Sequence, residues 1–192
     1  MRSSKIFLTL ATICCFVIIS NAQQEKKTEE VCYNPNAKGD TTKRSIKSAA
    51  IGKIGAANII INYYSPGVRK RVIWGGLVPY DEVWVTGAHY ATNIETDKTI
   101  IVGGTSIPPG KYAFFTIPGK HIWTVILNKN WDQHLTDDYD PKDDIVRIEV
   151  QPTIPGQPIE RLQYFINSLT ANKGAIAVGW DQQLIQFEVQ AN

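Results

Sequence analysis

The feature that most constrains the fold of this chain is a succession of short apolar segments, each ended by turn residues before it reaches helical length. Between residues 45 and 189 apolar side chains recur at every second position or in brief β-branched runs, and no window of helical length shows a period of 3.6. Pro108-Pro109-Gly110 and Pro118-Gly119 are among the turns that separate the segments. The sequence therefore predicts an all-β domain, an antiparallel sandwich or barrel of about nine or ten short strands.

Residues 111–117 and 121–128 are the best strand predictions, because they are aromatic and β-branched and a Pro-Gly turn separates them. Residues 144–151 alternate between apolar and charged side chains, which predicts a strand with one solvated face. The inward positions of the predicted strands give an expected core: Ile59, Ile61, Phe115, Ile117, Trp123, Val125, Leu127, Val146, Ile148, Val150, Tyr164, Ile166, Val178, Trp180, Ile185 and Phe187.

The N-terminus has the pattern of a secretory signal peptide. Arg2 and Lys5 precede an apolar run at residues 6–19, and small residues alternate at Ser20-Asn21-Ala22. The run is shorter than the roughly 20 apolar residues that span a bilayer, so a retained signal anchor is the weaker alternative. We predict a signal peptide at residues 1–22 and an exported, periplasmic or extracellular protein with no membrane span after cleavage.

The cysteines also bear on export. Cys14 and Cys15 lie inside the apolar run, but no small residue stands just before them, which makes lipoprotein anchoring less favoured. Cleavage leaves Cys32 as the sole cysteine, so no internal disulfide is expected. Residues 23–44 are polar and predict a flexible spacer, followed by a single domain at residues 45–190.

The charge of the processed chain argues against nucleic acid as a partner. Without Arg2 and Lys5, the 20 lysines and arginines of the full sequence fall to 18 and balance the 18 acidic residues. The only basic cluster, Arg69-Lys70-Arg71, adjoins a turn and is typical of a solvated loop. We therefore expect no nucleic-acid binding.

Residues 74–92 hold the most distinctive side chains of the sequence. His89 can act as a base or ligand near neutral pH, and Tyr90, Asp81 and Glu82 are its neighbours in sequence and its candidate catalytic partners. A lone histidine has an equally simple structural explanation. For ligand binding the candidates are Trp84, His89, Tyr90 and Trp131, since aromatic side chains on a β surface can hold sugars or apolar ligands.

A polar loop at residues 129–142 offers a second candidate site. Asp137, Asp138, Asp140 and Asp144 carry oxygen ligands suited to a hard cation such as calcium, but their spacing lacks the EF-hand register, and a solvated acidic loop is the simpler interpretation. The three histidines have no recognised zinc spacing, and no serine stands in a G-x-S-x-G setting. No cofactor is predicted.

The order of motifs resembles the DUF2911 family of exported bacterial domains, which is common in Bacteroidetes and has no assigned function. The resemblance spans residues 45–189 and is carried by Tyr64-Ser65-Pro66, Arg71, residues 74–80, Val83-Trp84, Thr86-Gly87-Ala88, Ala91-Thr92, residues 109–112, 115–119 and 123–126, Asn128-Lys129, Tyr139-Asp140 and Asp144. It implies an exported β-rich module of unknown activity. Where the family pattern has an Asn and an acidic residue after Thr-Gly-Ala, this chain has His89-Tyr90.

Three hypotheses for function remain. The first is a binding module for a small molecule, a glycan or an envelope protein, with residues 74–92 as the binding face and the acidic loop as a second rim. The second is a hydrolase or metal-assisted enzyme that uses His89 with Tyr90 and Asp81, Glu82 or Asp140. The third is a structural envelope protein.

Overall fold

A computed structural model describes residues 44–191, and these form two antiparallel sheets packed face to face. The described residues contain eleven strands, one or two more than predicted, with one 3-10 turn at Pro141–Asp143. The strands are β1 Ser45–Ile54, β2 Ala57–Pro66, β3 Asn93–Thr96, β4 Ile100–Val102, β5 Thr105–Ile107, β6 Gly110–Ile117, β7 Trp123–Asn128, β8 Asp144–Val150, β9 Ile159–Ser168, β10 Lys173–Asp181 and β11 Gln183–Ala191.

The prediction of an antiparallel all-β fold is confirmed, and the arrangement is a sandwich. One sheet has six strands in the order β1-β2-β3-β6-β7-β8, and the other has five in the order β5-β4-β11-β10-β9. Tight turns join most neighbours, as at Gly55, whose positive φ of 56° suits the β1–β2 hairpin. The chain passes from one sheet to the other at Asp97-Lys98, between β3 and β4.

The main core lies between the two sheets. Ile59 and Ile61 of β2 and Val125 of β7 face Tyr164 and Ile185 of the opposite sheet, and all five are fully or almost fully buried. Their alternation along each strand is the period-two pattern read from the sequence. This core fixes the scaffold on which residues 67–92 are held.

A second, smaller core covers the outer face of the six-stranded sheet. Ala113 and Phe115 of β6 and Ile126 of β7 pack there against Val85 and Ala91, which belong to the segment between β2 and β3. Because both faces of β6 and β7 are covered, consecutive residues of these strands are buried. Phe115 is therefore buried as predicted, but it lies in this outer core, and Phe114 is the residue that faces the main one.

Three members of the predicted core are only partly buried. Ile117 lies on the outer face beside the second core. Ile148 and Val150 belong to β8, the last strand of the six-stranded sheet, and they line a groove of about 720 Å³ whose opposite wall includes Phe187. The sandwich is open along this side, so these two side chains are only partly buried, although they still pack against the main core. Their prediction as core residues was right about this contact and wrong about full burial.

The predicted signal peptide, Cys14, Cys15, Cys32 and all of the predicted spacer except Arg44 lie outside the described residues. Within residues 44–191, no helix is long and apolar enough to cross a membrane.

Candidate functional site

The segment between β2 and β3, residues 67–92, leaves the six-stranded sheet and folds back along it. Trp84 pairs with Thr116 of β6 through two backbone hydrogen bonds, Trp84 N to Thr116 O at 2.8 Å and Thr116 N to Trp84 O at 3.0 Å. Farther back, the amide of Asp81 donates to the carbonyl of Pro118 at 2.8 Å. The segment is thus fastened to the β6–β7 hairpin, and its short polar and aromatic turns are held in fixed positions.

Four tryptophans meet where this segment crosses one end of the sandwich. The ring of Trp74 lies 4.8 Å from that of Trp123, 5.8 Å from that of Trp84 and 6.0 Å from that of Trp180, in edge-to-face orientations. Trp84 stacks on Trp180 at 5.9 Å with an interplanar angle of 20°. The indole N–H groups of Trp74 and Trp180 are buried and have no acceptor among residues 44–191. A buried donor without a partner costs free energy, so both groups call for an explanation.

Thr86 holds the centre of the segment in a strained conformation. It is fully buried and has a φ of 49°, a left-handed value that is unfavourable for a β-branched residue. Its carbonyl accepts hydrogen bonds from the hydroxyls of Tyr164 at 2.9 Å and Thr92 at 3.1 Å, and its own hydroxyl lies 2.9 Å from that of Thr116. These bonds compensate for the strain and fix the path of Gly87 and Ala88.

His89 follows as a second left-handed residue, with a φ of 64°. Its Nε2 lies 2.7 Å from the hydroxyl of Ser45, at the start of β1, and its ring packs edge-on against Tyr64 at 5.1 Å. The carbonyl of His89 accepts from the amide of Leu135 at 2.7 Å. Hence contacts with β1 and β2 position the imidazole, and the polar loop holds the backbone of His89. The residue is otherwise exposed to solvent.

A depression of about 420 Å³ opens beside His89. Its lining combines apolar and aromatic side chains with basic ones, and no acidic residue among those described lines it. The lining residues are Arg44, Ser45, Pro66, Arg71, Leu77, Val78, Trp84, Val85, Gly87, Ala88, His89, Leu135 and Trp180. We name this feature the Trp84 depression.

Tyr90, the residue after His89, belongs to a different surface. Its ring is 55% exposed, lies 6.3 Å from Tyr64 and contacts the ring of His134 edge-on at 5.9 Å. It borders a second depression of similar volume on the outer face of the six-stranded sheet, together with Lys111, whose ammonium lies 3.8 Å above the ring of Trp131. Of the four ligand-binding candidates, Trp84 and His89 therefore line the first depression and Tyr90 lines the second, while Trp131 is connected to the second only through its contact with Lys111.

The acidic candidates do not join His89. Asp81 and Glu82 are exposed, and within the described chain no carboxylate lies at hydrogen-bond distance from the His89 ring. Asp140 instead accepts from the amide of Lys142 at 2.9 Å, at the start of the 3-10 turn. The structure thus does not bring the expected catalytic carboxylates to His89. Within the described residues, the side chain that lies at hydrogen-bond distance from the His89 ring is that of Ser45.

The acidic loop is organised by a different network. Asp144 has a side chain only 6% exposed and accepts from Asn128 Nδ2 at 2.8 Å, the Tyr139 hydroxyl at 2.8 Å and Arg147 Nε at 2.7 Å. Burial, followed by the bond to Asp144, raises the pKa of the Tyr139 phenol.

The other acidic side chains of the loop are not gathered around a common point. Asp137 lies 2.9 Å from Nδ1 of His134, and Asp138 is exposed. No group of three or more potential ligand side chains converges within residues 44–191. The candidate cation ligands Asp137, Asp138, Asp140 and Asp144 are therefore dispersed along the loop.

Several residues of the Trp84 depression could not be selected from the sequence. Ser45 and His89 are 44 positions apart, and nothing in either local pattern indicates that they meet. Leu135 was one apolar residue in a polar loop, and Arg71 was interpreted as part of a solvated basic turn. Only Arg71 carried a further signal, since it belongs to the motifs shared with the family.

The fold and the site can be set beside known proteins. No curated protein and no solved structure gives a match to this chain. The profile of the DUF2911 family, described as a protein of unknown function, matches residues 45–189, and the chain therefore belongs to the DUF2911 family.

Proposed function

We propose that the protein is an exported binding module that holds a small molecule in the Trp84 depression. The observation that carries the proposal is the combination, in one concave site, of stacked aromatic rings with polar groups at its edge. Small-molecule sites are concave and mostly apolar, with a few placed polar groups that fix orientation.

The rigidity of the site supports the same function. The two left-handed residues Thr86 and His89 bracket Gly87 and Ala88, and buried hydrogen bonds hold Thr86 in place. Unfavourable backbone conformations cluster at functional sites because the surrounding structure must compensate for them. A surface built in this way is preorganised, which reduces the entropy lost when a ligand binds.

A thermal-shift screen of the mature protein against small metabolites, glycans and metal ions tests the proposal. Ala88→Phe fills the depression without removing a core side chain, and Ala171→Phe places the same ring on an exposed turn as a matched control. We expect a ligand that raises the melting temperature of the wild type and of Ala171→Phe but not of Ala88→Phe. A shift that persists in Ala88→Phe places the site elsewhere, and the absence of any stabilising ligand favours a structural envelope protein.

Export is tested separately, by fractionating cells and determining the N-terminus of the mature protein. The signal-peptide pattern predicts a chain that begins after Ala22 and is found outside the cytoplasm. A cytoplasmic protein that retains Met1 or Arg2 contradicts it.

A hydrolase is the second candidate, and the 2.7 Å contact between Ser45 Oγ and His89 Nε2 favours it. In such a pair the imidazole takes the hydroxyl proton as the oxygen attacks an acyl carbon, and returns the proton to the leaving group. Within residues 44–191, however, no carboxylate orients the imidazole. A serine–histidine pair without that third group is the weaker basis for a function.

The two candidates are separated by an esterase assay with 4-nitrophenyl acetate. A hydrolase that uses this pair loses its activity in Ser45→Ala and in His89→Ala, and retains it in His121→Ala, a control on an exposed turn. Turnover that is equal in all four proteins excludes the pair as the catalyst.

A further inference from the structure

We infer that the ligand of the Trp84 depression is an anion, a carboxylate or a phosphate ester attached to a flat apolar body. The inference rests on the proposed function and adds the chemical class of the ligand. It follows from the character of the lining, which combines positive charge and hydrogen-bond donors with indole rings.

Arg71 is the main anion-binding group. Its Nη2 donates to the carbonyl of Gly67 at 2.5 Å and its Nε to the carbonyl of Val68 at 3.2 Å, so the guanidinium is held in place by the backbone of this turn. A guanidinium has five N–H donors, and these two bonds leave three of them without a partner among the described residues. In the same part of the chain, no carboxylate lies within 4.0 Å of the Arg71 guanidinium.

The charge of Arg71 is therefore not neutralised by an ion pair with any described residue, and a second cation, Arg44, lines the same depression. Planar guanidinium groups bind carboxylates and phosphates through paired hydrogen bonds, which gives them geometric selectivity as well as charge. A neutral ligand would leave both arginines without a counter-charge.

Other donors in the lining strengthen the preference for an acceptor. Within residues 44–191, the backbone amides of Gly87 and Ala88 donate to no protein acceptor. Amide and guanidinium N–H groups only donate, and a ligand rich in acceptor oxygens is their natural complement.

The apolar side chains that line the depression determine which kind of molecular body the ligand can have. Trp84 is half buried and stacks on Trp180, while Leu77 and Leu135 are exposed large apolar side chains at the same site. Contiguous exposed apolar side chains with polar residues at their rim mark binding surfaces more often than singly exposed apolar side chains do. A planar ring placed against Trp84 would cover them and remove apolar surface from water.

Isothermal titration of the full mature chain with matched pairs of probes tests the inference. The pairs are 2-naphthoate with 2-naphthamide, indole-3-acetate with indole-3-acetamide, and phenyl phosphate with phenol, so that each anion has a neutral counterpart with the same ring. We expect at least one anion to bind about tenfold more tightly than its counterpart, the effect of roughly one charge-assisted hydrogen bond. Added salt should weaken only the anion, because it screens the charge.

Variants locate the effect. Arg71→Gln should remove the advantage of the anion, Arg71→Lys should retain part of it, and Lys120→Gln, on an exposed turn, should leave it unchanged. If the anion and its neutral counterpart bind equally well and both lose binding in Ala88→Phe, the inference of an anionic ligand is wrong. The proposed binding site is then still supported. Anion binding that is insensitive to Arg71→Gln also overturns the inference. Failure of every probe at millimolar concentration overturns the ligand class, and the proposed function fails only if the thermal-shift screen is negative as well.

Discussion

The hydroxyl of Tyr164, on β9 of the five-stranded sheet, donates a hydrogen bond of 2.9 Å to the backbone carbonyl of Thr86, in the segment that carries the candidate site. Both residues are fully buried. The bond therefore runs from one sheet, through the interior, to the strained turn of a segment fastened to the other sheet. It links the stability of the core to the geometry of the Trp84 depression.

We expect Tyr164→Phe to lower the free energy of unfolding by about 1 to 2 kcal/mol, the usual cost of losing one buried hydrogen bond while the packing of the ring is kept. The loss stays moderate because the Thr92 hydroxyl still donates to the Thr86 carbonyl at 3.1 Å. Urea denaturation of the variant and of Tyr80→Phe, a control whose ring is partly exposed, measures the difference. Equal stability of both variants contradicts a structural role for this bond.

The same tyrosine predicts a loss of stability in alkali. Burial raises the pKa of the Tyr164 phenol well above its ordinary value of 10.0. Between pH 10 and that higher pKa the unfolded chain has released the proton and the folded chain has not, so the free energy of unfolding falls as the pH rises. The contribution is complete below about pH 10.

Partial burial raises the pKa values of Tyr112 and Tyr139 too, so the test is a comparison. The free energy of unfolding of the wild type should decline more steeply between pH 9.5 and 11, as a rough working range, than that of Tyr164→Phe. Parallel curves for the two proteins would mean that Tyr164 ionises in the folded state as readily as in water.

Local sequence signals were sufficient where a strand has one buried face and ends in a turn. Residues 144–151 were predicted as a strand with one solvated face, and β8 spans Asp144–Val150 with Arg147 and Glu149 exposed. The two adjacent phenylalanines of β6 show where the alternation of apolar and polar residues no longer predicts which side chain faces the main core. Both faces of this strand are covered, so Phe114 and Phe115 are each fully buried and alternation cannot tell which one faces the main core.

The candidate site was less predictable for a different reason. Residues 74–92 stood out by composition, and Trp84 and His89 do line one depression. Arg71 lies just before this stretch, in a turn that was interpreted as solvated. Arg44 and Ser45, which add a second charge and the hydrogen bond to His89, come from the start of the domain. The long-range pairing of the sheets brings these two residues to the site, and no local pattern records that pairing.

Asp144 provides a test of the acidic loop as a structural element. Its nearly buried carboxylate accepts three hydrogen bonds, from Asn128, Tyr139 and Arg147. Asp144→Asn replaces one of the two acceptor oxygens with an NH2 donor and removes the charge opposite Arg147, so we expect a loss of about 2 to 3 kcal/mol in the free energy of unfolding. Asp138→Asn, at an exposed position, is the matched control and should change it little.

Trp123 tests the tryptophan cluster. It is 3% exposed and its ring lies 4.8 Å from that of Trp74, so truncation leaves a large cavity beside the Trp74 ring. We expect Trp123→Ala to cost about 3 to 5 kcal/mol in the free energy of unfolding. Trp131→Ala removes the same side chain from a more exposed position and should cost much less. Similar melting temperatures for the two variants would contradict the assignment of Trp123 to the core.

Gly87 tests how tightly the turn beside the depression is packed. A β-carbon added there would lie 2.8 Å from the hydroxyl oxygen of Thr92 and 3.2 Å from the carbonyl oxygen of Tyr64. The first contact is closer than real side chains allow, and the second involves backbone. The Thr92 hydroxyl that an added β-carbon would push against donates a hydrogen bond to the Thr86 carbonyl, and the residue is buried. Gly87→Ala therefore disturbs the bonds that hold Thr86 in its left-handed conformation.

We expect Gly87→Ala to lower the free energy of unfolding by about 1 to 3 kcal/mol, the range for overpacking a filled interior. Gly156→Ala is the control, because a β-carbon at Gly156 meets nothing within 4 Å and that glycine has no positive φ. There the substitution should be neutral or slightly stabilising, since it reduces the freedom of the unfolded chain. Urea denaturation of both variants measures the contrast. If Gly87→Ala is as stable as Gly156→Ala, the turn yields without cost, and the preorganisation that supports a binding site beside Trp84 is absent.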